Sequence, residues 1–273
     1  MLLFDVSGKV IAVTGSTKGI GRGIVQELAA AGAKVIVSSR KQAECDSVAD
    51  ELNREFGAGS VIAHGLACDL ADLDSVKAFT AAAPELFGGL DVLVSNAAVL
   101  AWFGPAGKTP PQVFDRMLSG NVHHNMQLCV GVQKAIAARG GGSIILIGSA
   151  SGAGPMPDIL SYSVSKAAVS HLAWNLAELM APDGIRVNCV APGLIRSFSS
   201  TANMGEAGLA AGARQIPLGR IGEPEDIAGA VIFLASRAGS FVTGETILVD
   251  GGRSRLHGTP DSLTASATNV VAP

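Results

Sequence analysis

Short runs of Val, Ile and Leu alternate along the chain with longer segments of helical periodicity, and this alternation restricts the possible folds more than any other feature. The pattern predicts strands at residues 10–14, 34–38, 60–67, 91–95, 143–147, 186–191 and 246–249, and helices at 20–31, 42–56, 73–86, 111–138, 160–180 and 224–235. Strands that are separated by helices pair in parallel. We therefore predict an α/β fold with a Rossmann-like, doubly wound, seven-stranded parallel sheet flanked by helices on both faces.

The length and composition suit one large domain. With 273 residues, 48% of them hydrophobic and 16% charged, the chain can bury a sizeable core. We predict a single domain over residues 1–252 and a flexible tail over 253–273, which is rich in Ser, Thr and Pro. Residues 193–219 also break the alternation, and we expect them to be irregular, either as a mobile lid or as an ordinary surface insertion.

The charge pattern argues against several kinds of partner. The formal net charge is −3 and no long run of Lys or Arg occurs, so we predict no nucleic-acid and no membrane partner. The amino terminus lacks the basic and apolar segments of a secretory signal, which predicts a cytoplasmic protein. Neither a metal site nor a disulfide framework is indicated by the four separated cysteines, Cys45, Cys68, Cys129 and Cys189, and the five histidines are interpreted as structural.

A glycine-rich turn joins the first predicted strand to the first predicted helix, and it reads Gly15-Ser16-Thr17-Lys18-Gly19-Ile20-Gly21. In such a turn the backbone amides and the helix N-terminus point at a bound anion, and glycine allows a pyrophosphate to approach the backbone. The alternative is a turn that serves only to reverse the chain. We favour a dinucleotide-binding turn whose contacts come from Gly15, Thr17, Lys18, Gly19, Ile20 and Gly21.

The end of the second predicted strand indicates which dinucleotide binds. Folds that bind NAD usually carry an acidic residue here for the ribose 2′-hydroxyl, whereas this chain has Ser39, Arg40 and Lys41. Together with Lys18 they suit a 2′-phosphate, because guanidinium binds phosphate through paired hydrogen bonds. We therefore predict NADP(H) as the cofactor, with NAD(H) less favoured. The alternative is that Arg40 and Lys41 only solvate the start of a helix.

The predicted helix over 160–180 carries Tyr162 and Lys166 four residues apart, and therefore on one face. A phenol with a pKa near ~10 is a poor proton donor or acceptor at neutral pH, and a nearby ammonium is expected to lower that pKa. Tyr162 is the only tyrosine of the chain, so no other residue can supply a phenol. The pair predicts acid–base chemistry on an oxygen atom.

A serine follows the strand predicted over 143–147. Ser149 lies at the carboxyl end of that strand, where doubly wound folds place their ligands, and its hydroxyl could hold the substrate oxygen. Ser151 is the second candidate for this role. The alternative for either residue is a turn or a helix cap, which serine often forms.

These motifs occur together in an order that resembles the short-chain dehydrogenase/reductase family, in its common single-domain type, over nearly the full chain. The resemblance rests on the TGxxxGIG motif from Thr14, on the YxxxK motif from Tyr162, and on further residues in family order: Asp69-Leu70, Asn96-Ala97-Ala98, Asn121, Ser149, Pro192-Gly193 and Val249-Asp250-Gly251-Gly252.

The resemblance implies roles for individual residues. Catalysis is expected from a tetrad of Asn121, Ser149, Tyr162 and Lys166, in which Asn121 holds a water that relays protons to Lys166. Further cofactor contacts are expected from Asp69, Leu70, Asn96, Ala97, Ala98, Tyr162, Lys166, Pro192, Gly193, Ile195 and Ser197. Two positions depart from the family pattern, since Ala98 stands where glycine is more common and Ser197 stands near the place of a threonine.

The resemblance also implies a reaction, namely reversible hydride transfer between nicotinamide and a ketone or secondary alcohol, as in a carbonyl reductase, without a metal. The alternatives are a 3-ketoacyl-thioester reductase acting on acyl carrier protein, an epimerase or dehydratase, and a cofactor-binding module without activity. Relatives are usually homotetramers. An apolar small-molecule substrate is indicated by residues in the predicted surrounding loops, Trp102, Phe103, Met156, Leu160, Leu194, Phe198 and Met204.

Overall fold

A computed structural model describes residues 2–99 and 106–255 of the chain. Its centre is a seven-stranded sheet in which all six neighbouring pairs of strands are parallel, in the order β3-β2-β1-β4-β5-β6-β7. The strands are β1 Val10–Val13, β2 Lys34–Val37, β3 Ala63–Gly65, β4 Val92–Ser95, β5 Gly142–Ile147, β6 Ile185–Pro192 and β7 Thr246–Val249. The predicted fold class is confirmed.

Eight α-helices cover the two faces of the sheet in the described part of the chain. They are α1 Gly19–Ala30, α2 Gln42–Phe56, α3 Leu73–Ala82, α4 Pro111–Leu118, α5 Asn125–Ala137, α6 Leu160–Met180, α7 Phe198–Ala213 and α8 Pro224–Ala235. Helices α1, α2 and α8 contribute to the apolar core on one face, and α3, α5 and α6 contribute to the core on the other. In β1, Ile11 and Val13 point into the first core and Val10 and Ala12 into the second, which explains why both alternating positions are apolar.

The strand order creates the crevice that a ligand can use. From β1 the chain builds outward to β2 and β3, and it then crosses back to place β4 on the other side of β1. The loops after β1 and β4 therefore leave the sheet in opposite directions, and a gap opens between them at the carboxyl ends of the strands.

The prediction of one helix over 111–138 is wrong in its middle. A π-helix at Ser119–His124 separates α4 from α5. Buried positions continue through this segment at Gly120, Asn121 and His124, between Met117 and Leu128, and their helical spacing gave no sign of the interruption.

The prediction of an irregular segment over 193–219 is also wrong, because α7 occupies its centre. The Ser197 side chain accepts a hydrogen bond from the Ser200 N–H, and the Ser200 hydroxyl accepts one from the Ser197 N–H, so the helix begins with a reciprocal cap. Gly205, with φ of 62°, kinks it. Small Ala, Gly and Ser residues hid this helix, because they give little apolar periodicity.

Two shorter differences have local causes. The strand predicted over 60–67 is only three residues long, Ala63–Gly65. The helix predicted over 73–86 ends at Ala82 and continues as a 3₁₀ turn, Ala83–Glu85, because Pro84 has no backbone N–H to continue the helix.

Most of the predicted tail lies outside the described residues. Only 253–255 of the segment 253–273 are described, in a turn that follows β7. Within 2–99 and 106–255, no helix is long and apolar enough to cross a membrane.

Candidate active site

Two glycines of the turn after β1 have a backbone conformation that favours glycine. Gly15 and Gly19 adopt positive φ angles of 64° and 56°, which side chains rarely allow. A Cβ on Gly21 would lie 2.3 Å from the Gly15 carbonyl oxygen, so this position also requires glycine. Lys18 precedes α1 and makes no side-chain cap, which leaves the first amides of the helix open toward an anion. Ser197 lies against the turn, since a Cβ on Gly19 would be 3.3 Å from its Cβ.

The loop after β4 is fastened to this turn. The Asn96 side chain donates to the carbonyl oxygens of Thr14 and Gly15 at 3.0 and 2.9 Å. The Thr14 hydroxyl accepts from the backbone amides of Asn96 and Ala97, both at 3.1 Å. Ala98, the departure from the family pattern, is exposed. The contacts hold the two sides of the crevice at a fixed distance.

The cationic residues predicted to select the cofactor lie together after β2. Arg40 is exposed and makes no ion pair within the described residues, whereas Lys18 and Lys41 both pair with Glu44, at 3.6 and 3.0 Å. Ser39 is half-buried beside them. The glycine cradle and these cations together fit the phosphates of a dinucleotide.

The loop of Asp69 and Leu70, where cofactor contacts are predicted, is tied to the π-helix. The Asp69 carboxylate accepts from the Ala71 amide at 2.9 Å, and Leu70 is buried. The Leu70 carbonyl lies 2.8 Å from Nδ1 of His124, whose Nε2 lies 3.1 Å from the Ser119 hydroxyl. Because a carbonyl only accepts, Nδ1 carries the proton in this arrangement.

Helix α6 presents Tyr162 and Lys166 on one face, as the spacing predicted. The Lys166 ammonium is buried, donates to the Ile147 carbonyl at 2.7 Å, and lies 5.7 Å from the centre of the Tyr162 ring. Burial lowers the pKa of Lys166 from 10.5 to about 8.

The expectation that Lys166 lowers the Tyr162 pKa is wrong for this structure. Burial raises the pKa of Tyr162, and a hydrogen bond with the Ser149 side chain only partly opposes that effect. The physical reason is that the Lys166 ammonium points at the Ile147 carbonyl, not at the phenol oxygen.

Ser149 lies beside Tyr162, and Ser151 supports it. The Ser149 hydroxyl oxygen accepts from the Ser151 amide at 3.2 Å and from the Ser151 hydroxyl at 2.8 Å. With both lone pairs occupied, its own proton is available to donate. The geometry therefore distinguishes the two candidates, since Ser149 contacts the phenol and Ser151 orients Ser149.

Asn121 lies in the π-helix Ser119–His124 and is buried. Its side chain accepts from the Val99 amide at 2.7 Å and donates to the Val99 carbonyl at 3.1 Å and to the Ser165 hydroxyl at 3.1 Å. Since Ser165 precedes Lys166 on α6, Asn121 joins the loop after β4 to the helix of the tyrosine. Its role in a water relay stays a prediction.

The loop after β6 approaches the end of β7 closely. A Cβ on Gly193 would lie 2.6 Å from Cβ of Asp250, so the turn after Pro192 requires glycine. Ile195 is buried and pairs with Gly222 in an isolated bridge, and its carbonyl accepts from the Ser200 hydroxyl at 2.8 Å.

The turn after β5 is equally tight. A Cβ on Gly148 would lie 2.6 Å from the sulfur of Cys189. The Cys189 sulfur is 3.6 Å from the Ser170 hydroxyl, and burial raises its pKa. In the described ranges all four cysteines are free and buried, and no cluster of three or more potential metal ligands occurs.

Several of the predicted substrate residues cannot be placed. Trp102 and Phe103 lie outside the described residues, and Phe198 is described only as the start of α7. Exposed apolar side chains are found at Met156, Leu160 and Met204.

Sequence reasoning missed three residues that the structure brings into the site. They are Glu44, His124 and Ser165. His124 follows Asn121 at helical spacing on a buried stripe, and Glu44 follows Lys41 at i,i+3, so both had a detectable signal.

Taken with the parallel sheet, the glycine cradle and the Ser149–Tyr162–Lys166 cluster define a nucleotide-dependent oxidoreductase of the doubly wound class. Comparison with known proteins agrees. A family profile described as Enoyl-(Acyl carrier protein) reductase matches residues 15–254. The chain belongs to the short-chain dehydrogenase/reductase family, and it is an NAD(P)-dependent oxidoreductase.

Individual relatives are similar over most of the chain. Dehydrogenase/reductase SDR family member 4 from Bos taurus is 41% identical over 248 residues, which cover 90% of this chain and 88% of the relative. The Homo sapiens protein of that name is 40% identical, with 92% and 90% covered. Among solved structures, a 7α-hydroxysteroid dehydrogenase complexed with NADH and 7-oxo glycochenodeoxycholic acid has a TM-score of 0.84 and 33% identity, with 92% of this chain and 96% of that chain covered.

Proposed function

We propose that the protein is an NADP(H)-dependent carbonyl reductase that acts reversibly on an apolar ketone or secondary alcohol. One observation carries the proposal: the only phenol of the chain lies beside the Ser149 hydroxyl and one helical turn from the buried Lys166 ammonium, at the carboxyl edge of the sheet. A cluster of this kind serves proton transfer to a carbonyl oxygen.

The chain's own groups have distinct tasks. When bound, the cofactor supplies or accepts the hydride at the carbonyl carbon. Ser149, whose oxygen is already engaged by Ser151, donates its proton to the substrate oxygen. Tyr162 donates its phenolic proton to the same oxygen during reduction and removes a proton during oxidation. The Lys166 ammonium, which donates to the Ile147 carbonyl in this structure, would stabilise the phenolate once it turns toward the phenol oxygen.

The pKa directions define the resting protonation states near neutral pH. Burial raises the phenol pKa, so the Tyr162 hydroxyl is protonated at neutral pH. Lys166, with a pKa of about 8, is mostly charged at pH 7 and loses its charge above that value.

The preference for NADP(H) is supported by charge. The three cations after β2 and in the glycine turn face one acid, Glu44, and Arg40 makes no ion pair within the described residues. The 7α-hydroxysteroid dehydrogenase neighbour is complexed with NADH, so the fold alone does not select NADP(H), and the proposed preference depends on these side chains.

Two observations support an apolar substrate. Met156, Leu160 and Met204 expose apolar surface on the segments that follow β5 and β6. The neighbour complexed with 7-oxo glycochenodeoxycholic acid is a dehydrogenase for a bulky alicyclic ketone. The name of the matching family profile points instead to acyl thioesters on a carrier protein, so these belong in the test.

The decisive experiment follows absorbance of the reduced nicotinamide with NADPH and NADH in parallel, for the wild type and Tyr162→Phe. The panel contains alicyclic ketones, acetoacetyl thioesters and crotonyl thioesters. We expect NADPH-dependent reduction of ketones that falls at least about a thousandfold in Tyr162→Phe, while NADPH binding by fluorescence is retained. Turnover of thioesters alone would replace the substrate proposal. Cofactor binding without turnover of any substrate would contradict the proposed activity.

A homo-oligomer is proposed from exposed apolar residues on two neighbouring helices. Trp174 and Leu179 are 65% and 60% exposed on α6, and Val164 and Val130 add apolar surface on α6 and α5. Light scattering coupled to size exclusion tests this, and a monomeric mass at micromolar concentration would contradict it.

A further inference from the structure

The Glu44 carboxylate lies between two of the cations that the proposed function assigns to the cofactor's 2′-phosphate. One oxygen, Oε1, is 3.0 Å from the Lys41 ammonium, and the other, Oε2, is 3.6 Å from the Lys18 ammonium. We propose that Glu44 is a specificity-determining residue that competes with the 2′-phosphate and weakens NADP(H) binding without weakening NAD(H) binding. The inference rests on the proposed preference for NADP(H).

The structure holds this carboxylate in place from several directions. Glu44 lies in the first turn of α2, where the helix dipole favours an anion. The hydrogen bond from Lys41 and the charges of both lysines lower its pKa, so it is ionised at neutral pH. The side chain is only 35% exposed. Its two oxygens each engage one cation, as two oxygens of a phosphate would.

The competition affects the two cofactors differently. A 2′-phosphate that approaches Lys18 and Lys41 must displace Glu44 or accept a like charge beside it. A 2′-hydroxyl brings no charge, so Glu44 does not oppose it. Arg40 makes no ion pair in the described part of the chain and stays available to the phosphate, which is why the competition reduces NADP(H) affinity without abolishing it.

Exposed ion pairs interact weakly, so the expected effect is moderate. Removing the Glu44 charge abolishes its ion pairs with Lys18 and Lys41. It also removes the like charge that the 2′-phosphate would meet. We expect Glu44→Gln to tighten NADPH binding by about 3- to 10-fold and to change NADH binding by less than about 2-fold. Salt screens the interaction, and the gain is therefore largest at low ionic strength.

The test measures dissociation constants by calorimetry for NADPH, NADH, adenosine 2′,5′-bisphosphate and adenosine 5′-monophosphate. The last two probes isolate the contribution of the 2′-phosphate. Glu55→Gln is the matched control, because it removes the same charge from the exposed surface of α2 and Glu55 makes no ion pair within the described residues. Glu55→Gln is expected to leave all four constants within about 2-fold.

The outcomes separate this inference from the proposed cofactor preference. The competition is refuted if Glu44→Gln leaves the NADPH dissociation constant unchanged. It is also refuted if that constant rises, which would mean that the carboxylate positions the lysines. Either result can occur while the wild type still prefers NADPH. If the wild type prefers NADH, the proposed preference fails. The competition then survives only if Glu44→Gln still shifts the ratio of the two constants toward NADPH by at least about 3-fold.

Discussion

Replacing Lys166 with methionine should stabilise the protein while removing its activity. Lys166 is a buried cation that donates to the Ile147 carbonyl at 2.7 Å, and no carboxylate pairs with it among the described residues. Methionine has a similar length, carries no charge and can fill the same space. The proposed catalytic role of Lys166 requires its positive charge, whereas burial of that charge lowers the stability of the fold.

The magnitude follows from the pKa. Burial lowers the Lys166 pKa from 10.5 to about 8, and since each unit corresponds to about 1.4 kcal/mol, keeping the ammonium charged at pH 7 costs about 3 kcal/mol of folding stability. Methionine leaves the Ile147 carbonyl without this donor, which costs about 2 kcal/mol in the opposite direction. We expect Lys166→Met to raise the free energy of unfolding by about 1 kcal/mol at pH 7.

The sign of the pH dependence gives a sharper test. Because the folded-state pKa is depressed, the cost is fully present below pH 8 and disappears as the pH rises toward the unfolded value of 10.5. The advantage of Lys166→Met, about 1 kcal/mol at pH 7, should therefore shrink above pH 8 by about 1.4 kcal/mol per pH unit and reverse by about pH 9.

The assay is urea unfolding of cofactor-free protein at pH 7.0 and pH 9.5, at fixed protein concentration, followed by circular dichroism. Lys134→Met, an exposed lysine on α5, is the control and should show the same difference from wild type at both pH values. A Lys166→Met protein that is less stable than wild type at pH 7, or whose difference from wild type does not change with pH, would refute the reasoning.

Three further predictions concern single positions. Gly21→Ala places a Cβ 2.3 Å from the Gly15 carbonyl oxygen, so we expect the NADPH dissociation constant to rise at least about 10-fold in a fluorescence titration. Asn121→Leu removes two hydrogen bonds to a buried backbone segment and should lower the free energy of unfolding by about 3 kcal/mol in urea. Asp226 has a pKa of about 2 because it accepts from Arg220, and stability that depends on its charge is present above pH 3.8 and lost as the pH falls through 2. Asp226→Asn should therefore cost about 1 kcal/mol at pH 7 in thermal unfolding and only a small part of that at pH 2.

Much of the fold could be predicted because each element has a distinct local pattern. The strand runs are apolar at both alternating positions, and the helices α1, α2, α6 and α8 repeat their buried residues at helical spacing. The π-helix could not be predicted, because its cause includes a contact between Asn121 and the Val99 backbone, 22 positions away in sequence. A local sequence pattern cannot reveal a contact between residues that are this far apart in the sequence.

The candidate site also has features that the sequence could predict and features that it could not. The four-residue spacing of Tyr162 and Lys166 on a helix is enough to place both on one face. The direction of the Tyr162 pKa depends on burial and on where the Lys166 ammonium points, which is fixed by the end of β5, 19 residues from Lys166 in sequence. Composition hid α7 as well, since its small residues give the helix little amphipathic contrast.

The contact between Gly148 and Cys189 limits how this protein can change by mutation near its candidate active site. A side chain at position 148 would meet the Cys189 sulfur at 2.6 Å, so enlarging the residue before Ser149 forces the buried Cys189 side chain to shift or to become smaller. The two positions are therefore coupled, and a smaller residue at 189 is expected to lower the cost of a change at 148. A library that varies the 148–151 loop together with position 189 is expected to tolerate alanine and serine at 148 better than one that varies the loop alone.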